Sequence, residues 1–225
     1  MTDLAIVDYG MGNLRSVEKA LTHLAPQLDI RITSDPAVVR DAARVVFPGQ
    51  GAMPDCMREL ERSGLRDALF EAAQSKPFLG ICLGLQMLFE TSEEGDSRGL
   101  GILRGRVLRF PADAMHDAAG EKLKVPHMGW NEVNPTHEHP LWRGIAPGSR
   151  FYFVHSYYVE PAEPDVIAAF TLYPFAFTSV VARGKLFAVQ FHPEKSQAQG
   201  LQLLANFIEW DGETAAGEQF AETVA

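Results

Sequence analysis

The chain has 225 residues, 46% of them hydrophobic, which suits one sizeable domain with a buried core and excludes a disordered or fibrous polymer. Its formal net charge is −9, and Asp211, Glu213, Glu218 and Glu222 crowd the last fifteen residues without a Lys or Arg, so nucleic-acid binding by counterion release is not expected. No apolar run reaches the roughly 18 residues of a membrane span, the start MTDLAIVDYG lacks a basic leader region, and two cysteines give no disulfide framework, so a cytoplasmic protein is expected.

In chain order, LAIVDYG (4–10) is a short apolar run closed by a turn signal, and GNLRSVEKALTHLA places Leu14, Val17, Leu21 and Leu24 at helical spacing. DIRIT (29–33), ARVVFPG (43–49) and PFLGI (77–81) read as strands. Between the last two, Leu65, Ala68, Leu69 and Ala72 mark a helix, broken from its upstream part at Ser63-Gly64. This alternation predicts βαβ units, a parallel sheet, and strand C-termini gathered at one ligand-binding edge. From about residue 99, GILRGRVLRF, RFYFVHSYYVE, DVIAAFTLY and FTSVVARGKLFAVQF read as strands, the last run turning at Arg183-Gly184. They predict an antiparallel extension of the same core. SQAQGLQLLANFIEW (196–210) predicts a closing helix with Leu201, Leu204, Phe207 and Ile208 on one face. The fold class is therefore α/β, a mostly parallel central sheet flanked by helices with an antiparallel addition. Residues 1–210 form a single domain in this reading, and 211–225 an acidic, mobile tail.

Gly80-Ile81-Cys82-Leu83-Gly84 has the layout of a nucleophile elbow with sulfur in place of the hydroxyl. A strained strand-to-helix turn would lift Cys82 above the sheet edge, and flanking glycines would remove Cβ atoms that clash. Bringing a thiol from a pKa near 8.5 to about 6 takes roughly 3 kcal/mol, whereas a helix N-terminus supplies only about 0.3–1 kcal/mol. A histidine must share the work. Cys56, in the polar context PDCMRELE, is read as structural.

Of seven histidines, His23 lies on the first helix and His116, His137 and His139 lie in polar, loop-like stretches. His137 and His139 have no further ligand cluster around them, so no metal site is expected. His127, His155 and His192 are strand-associated. Only His192 has a carboxylate two residues on, Glu194, where an extended chain projects both side chains to one side. Base and orienter then lie within three residues, as in a catalytic triad. The loop FPGQGAM (47–53) offers Gly49, Gln50 and Gly51, whose backbone N–H groups can point into a site as oxyanion donors.

Together, PGQG (48–51), GICLGLQ (80–86) and HPE (192–194), in that order, resemble the class I glutamine amidotransferases, and the resemblance extends from residue 3 to about 210. VDYGMGNLRSV, PHMGWNEV, YFVHSYYV and FHPEKS are similar to the branch of that family whose glutaminase subunits serve histidine biosynthesis. The resemblance implies a triad of Cys82, His192 and Glu194, an oxyanion loop at Gly49, Gln50 and Gly51, and glutamine held by Gln86 with the main chain of Ser156 and Tyr157. It implies no cofactor. It further implies a heterodimer in which ammonia passes to a separate cyclase subunit, a (β/α)8 barrel acting on a phosphoribosylated aminoimidazole carboxamide. Asn13, Trp130 and Lys195 would face that partner, Trp130 as an exposed anchor in a Gly-rich loop. The chain departs from the family pattern in carrying Gln50 where valine is commoner, and in its acidic tail. Three other readings remain open: the glutaminase subunit of another amidotransferase such as pyridoxal phosphate synthase, a stand-alone cysteine peptidase, and a binding module with a decayed triad.

Overall fold

The computed structural model describes residues 2–111, 115–116 and 120–213. The first half alternates as β1 (Leu4–Val7), α1 (Leu14–Leu24), β2 (Ile30–Thr33), α2 (Pro36–Asp41), β3 (Arg44–Gly49), α3 (Met53–Ser63), α4 (Arg66–Ser75), β4 (Phe78–Cys82) and α5 (Leu83–Gln86). The short strands β5 (Thr91–Ser92) and β6 (Ser97–Arg98) lead into β7 (Gly105–Arg109), β8 (His127–Pro135), β9 (Ser149–His155) and β10 (Tyr157–Pro161). Then follow β11 (Ile167–Leu172), β12 (Ala176–Arg183), β13 (Leu186–Val189) and the closing helix α6 (Gln197–Glu209).

Strands β2, β1, β3, β4 and β13 lie side by side and parallel. β12 pairs antiparallel with β13 and starts the antiparallel extension, which runs through β10 to β7 and through β11 to β8 and β9. The inner parallel strands β1, β3, β4 and β13 are apolar with little alternation because both faces are covered, whereas β2, at the sheet's edge, alternates as IRIT. On one face Val45 and Phe47 of β3 join Leu60, Leu69 and Ala72 of α3 and α4. On the other, Leu4, Ile6 and Val46 meet Val17 and Leu21 of α1 and Leu203, Leu204 and Phe207 of α6. Burying each such large side chain contributes about 1.5–3 kcal/mol.

Register sets the site. Gly49 of β3 lies opposite Cys82 of β4, and Ile81 of β4 lies opposite Val189 of β13. The PGQG loop, the elbow and the segment leading to His192 therefore leave the sheet at one edge.

Several expectations are corrected. RFYFVHSYYVE is two strands: β9 pairs with β8, while β10 pairs with β7 and β12, and the change of partner falls at Ser156. Alternation along a strand carries no information about which neighbour it pairs with. Residues 127–135, read as carrying a Gly-rich loop, form β8, with Trp130 opposite Tyr152 of β9. Helix α2 was not foreseen, although Asp35 caps it by accepting from the Ala37 N–H, with Pro36 at its first turn. The break at Ser63-Gly64 is present, with Gly64 left-handed at φ 69°. No helix among the described residues is long and apolar enough to cross a membrane. Most of the acidic tail, residues 214–225, lies outside the described residues.

Candidate active site

Strand β4 ends on Cys82, whose backbone sits at φ 55° and ψ −112°. That left-handed φ is costly for a residue with a Cβ, on the order of 1–3 kcal/mol, and it aims the sulfur out of the sheet edge. The turn fits because of its two glycines. A Cβ on Gly84 would stand 1.9 Å from the Phe47 carbonyl oxygen of β3, and one on Gly80 would stand 2.9 Å from the Ala188 Cβ of β13. Helix α5 is a single turn, shorter than the helix expected to follow the cysteine, so its dipole helps little. Gln190 supplies a direct partner instead, its Nε2 donating to the Cys82 sulfur at 3.7 Å.

His192 follows β13, extended at φ −105° and ψ 94°. Its backbone is clamped: its N–H donates to the Tyr152 carbonyl at 2.9 Å, and Ser196 Oγ donates to its carbonyl at 2.6 Å. Pro193 then opens a short 3-10 turn, so Glu194 returns to His192 through a turn and not through strand alternation. The carboxylate accepts from Nδ1 at 2.9 Å. Nε2 is sealed from solvent and makes no hydrogen bond within the described protein. Burial by itself would lower the His192 pKa, but the neighbouring Cys82 and the Glu194 carboxylate outweigh it and raise the pKa to about 10. His192 is set up as an imidazolium beside the Cys82 sulfur.

A cavity of about 290 Å³ lies over the sulfur, lined by Gln50, Gly51, Cys82, Gln86, Ser156, Tyr157, His192 and Lys195, among others. Gly49 stays behind it as the last residue of β3. In the loop, the Cys56 thiol donates to the Gln50 carbonyl at 3.3 Å. Burial pushes that thiol up to about 11, so Cys56 stays protonated. Gln86 gives its amide N–H groups to the Tyr157 carbonyl at 3.1 Å and to Gln190 Oε1 at 3.0 Å. Its own Oε1 makes no such bond among the described residues.

Asn13 stands just before α1 without a side-chain bond to the helix backbone; its Oδ1 accepts from Ser16 Oγ at 3.0 Å, and it borders a small gap behind His192 and Glu194. Trp130 is not in the cavity. It is 43% exposed on β8, edge-on to Tyr152 at 6.2 Å. Two site residues escaped the sequence reading. Gln190 is two positions before His192, so strand parity could have found it. Glu94 lines the cavity while accepting from the Met53 N–H at 2.9 Å, and nothing in SEEGD distinguishes it from a solvated carboxylate.

With this geometry in hand, comparison with known proteins is specific. A family model described as glutamine amidotransferase class-I matches residues 5–210. The imidazole glycerol phosphate synthase subunit HisH of Nitrosospira multiformis is 67% identical over 210 residues, covering 93% of this chain and 99% of that one. The subunit of the same name from Thiobacillus denitrificans is 64% identical over 215 residues, covering 95% and 94%. Among solved structures, a glutamine amidotransferase superposes with a TM-score of 0.67 at 18% identity, covering 91% of this chain and 97% of that one. Another from Thermotoga maritima gives 0.58 at 16% identity, covering 86% and 76%.

Proposed function

Because the chain belongs to the class I glutamine amidotransferase family, we propose that it is the glutaminase subunit of an imidazole glycerol phosphate synthase. In this reading it works in the cytoplasm as a heterodimer with a (β/α)8 cyclase subunit, in histidine biosynthesis. It hydrolyses glutamine and passes the ammonia to the cyclase, which makes imidazole glycerol phosphate and AICAR. The relatives at 64–67% identity carry that subunit's name. The observation that carries the chemistry is one cavity lined by Cys82, His192 and the Gln50-Gly51 end of the PGQG loop.

The Cys82 thiolate attacks the side-chain amide carbon of glutamine and forms a tetrahedral oxyanion. Backbone N–H groups of the Gly49-Gln50-Gly51 loop and of the elbow are the donors suited to it. The His192 imidazolium gives its Nε2 proton to the amide nitrogen, the C–N bond breaks, ammonia leaves, and a glutamyl thioester remains. Neutral His192 then takes a proton from water as the water attacks the thioester, releasing glutamate and restoring the thiolate–imidazolium pair. Glu194 keeps the proton on Nδ1 throughout, so that Nε2 is the nitrogen that works. Since both amide hydrogens of Gln86 are engaged within the protein, its Oε1, together with the Glu94 carboxylate, is the acceptor set for the substrate's α-ammonium. Ser156 and Tyr157 form the facing wall. Ammonia released into solvent would be protonated and lose its nucleophilicity, which is the reason for a partner. Asn13, Trp130 and Lys195 are proposed to face it.

The test is a split of activities. Cys82→Ala, assembled with the cyclase, should lose glutamine-dependent synthesis while ammonia-dependent synthesis survives. Equal loss of both would contradict the division of labour.

A further inference from the structure

The mechanism leaves His127, His139 and His155 buried and unused, and two of them meet. His155 ends β9 and His127 begins β8, opposite it in register. His155 Nδ1 lies 2.8 Å from the Tyr157 carbonyl, His155 Nε2 lies 2.9 Å from His127 Nδ1, and His127 Nε2 lies 3.2 Å from Asn131 Nδ2. The protons in this row have one arrangement. A carbonyl can only accept, so His155 carries its proton on Nδ1. At the other end the Asn131 amide is oriented twice over: its Oδ1 accepts from the Glu132 N–H at 2.8 Å, and its Nδ2 donates to the Leu172 carbonyl at 2.9 Å. The second amide hydrogen therefore points at His127 Nε2, which must be bare. His127 then carries its proton on Nδ1 and donates to a bare Nε2 on His155. Both rings are neutral and both are the Nδ1–H tautomer.

The Tyr157 carbonyl that ends the row also receives an amide hydrogen of Gln86, whose second hydrogen goes to Gln190, which in turn donates to the Cys82 sulfur. The row thus runs from the nucleophile to β8, whose Met128 and Trp130 are exposed on the outer surface. We propose that His155 and His127 are positioning residues for the glutamine-binding wall: as a neutral pair with a single permitted proton arrangement, they fix the Tyr157 carbonyl and, through it, the orientation of Gln86. This deepens the glutaminase reading and rests on it. Burial drives the pKa of His155 down to about 3 and that of His127 to about 4, in keeping with neutral rings at any working pH. A scaffold role alone would need neither a fixed tautomer nor an effect confined to substrate binding.

Two measurements on the full chain test this. The first is ¹⁵N NMR of the imidazoles, which should show His127 and His155 both protonated at Nδ1 and bare at Nε2 at pH 7. An Nε2–H form or a cation at either position overturns the proposal, whatever the enzyme's activity. The second is glutamine kinetics with the cyclase present. His127→Phe leaves a buried acceptor on His155 unpaired, and KM for glutamine should rise about tenfold with kcat within about twofold. His127→Asn, whose amide can occupy the Nδ1 position, should stay within about threefold of the parent KM. Should His127→Phe fail to fold, Asn131→Ala removes the outer anchor alone and should still raise KM by about threefold. An unchanged KM in a folded His127→Phe or Asn131→Ala, or a fall confined to kcat, overturns it. A parent chain whose Cys82 resists an electrophilic glutamine analogue would instead overturn the glutaminase reading, leaving the tautomer result standing.

Discussion

The Glu194 carboxylate meets His192 Nδ1 at 2.9 Å, with the two side chains 1% and 6% exposed. Glu194→Gln should keep the shape and lose the charge, allowing the wrong imidazole tautomer. We expect kcat for glutamine hydrolysis to fall about 10²-fold with KM little changed, within the range of general acid–base contributions. Steady-state kinetics with the cyclase present measure the split, and a variant that keeps the parent's kcat would mean that the carboxylate does not set the tautomer.

Gly84 tests the elbow's seat. The Cβ added by Gly84→Ala would enter the Phe47 carbonyl at 1.9 Å, backbone against backbone. No side chain can rotate away, so β3 and the elbow must part. Overpacking of this kind costs about 3 kcal/mol or more, which for a domain of this size is a fall in Tm of roughly 6–12 °C. Glutaminase activity should drop further than the lost stability explains, since Gly49 and Cys82 pair across the same two strands. A variant with the parent's Tm would show that the approach is looser than described.

The outcome at these positions shows what a sequence exposes. That Cys82 and the HPE segment meet at one cavity was legible because a nucleophile with its base would constrain neighbours at fixed offsets: two glycines around the sulfur, a carboxylate two residues beyond the imidazole. The parallel half of the sheet was legible because strands buried on both faces leave unbroken apolar runs. The break at Ser156 and the strand identity of residues 127–135 depend on which distant strand pairs with which, and single-strand periodicity does not encode that. Glu94 could not be picked out from one carboxylate among several in SEEGD. Gln190 could have been, from its parity with His192. The histidine row was hidden for a third reason. Its members lie on two paired strands, and only the register of β8 against β9 sets His127 opposite His155.

Trp130 tests the proposed partner face. It is 43% exposed on β8, near Met128 at 62%, and its ring meets Tyr152 edge-on. Trp130→Ala should therefore leave the isolated chain's Tm within about 2 °C. If this tryptophan anchors the cyclase, the same change should weaken association by about 2 kcal/mol or more, roughly 30-fold in Kd by titration calorimetry. An unaltered Kd would move the interface elsewhere on the chain.

Three buried histidines should make the protein fragile in mild acid. Burial lowers His127 and His139 to about 4 and His155 to about 3. The unfolded chain takes up protons at these residues near pH 6.5, while the folded chain refuses them. Between pH 6.5 and about 4.5 the unfolded state therefore binds up to three more protons, and folding stability falls with pH by up to about 4 kcal/mol per unit. His192 adds nothing to this slope, because both states hold its proton there. Urea midpoints at pH 7, 6 and 5 measure the slope. Replacing His139, which packs against Phe187 at 4.6 Å, by Phe should remove about a third of it while leaving glutamine turnover intact. A parent whose midpoint stays level from pH 7 to 5 would require these rings to be protonated in the folded chain, which the single acceptor at Tyr157 and the doubly anchored Asn131 amide do not allow for His127 and His155.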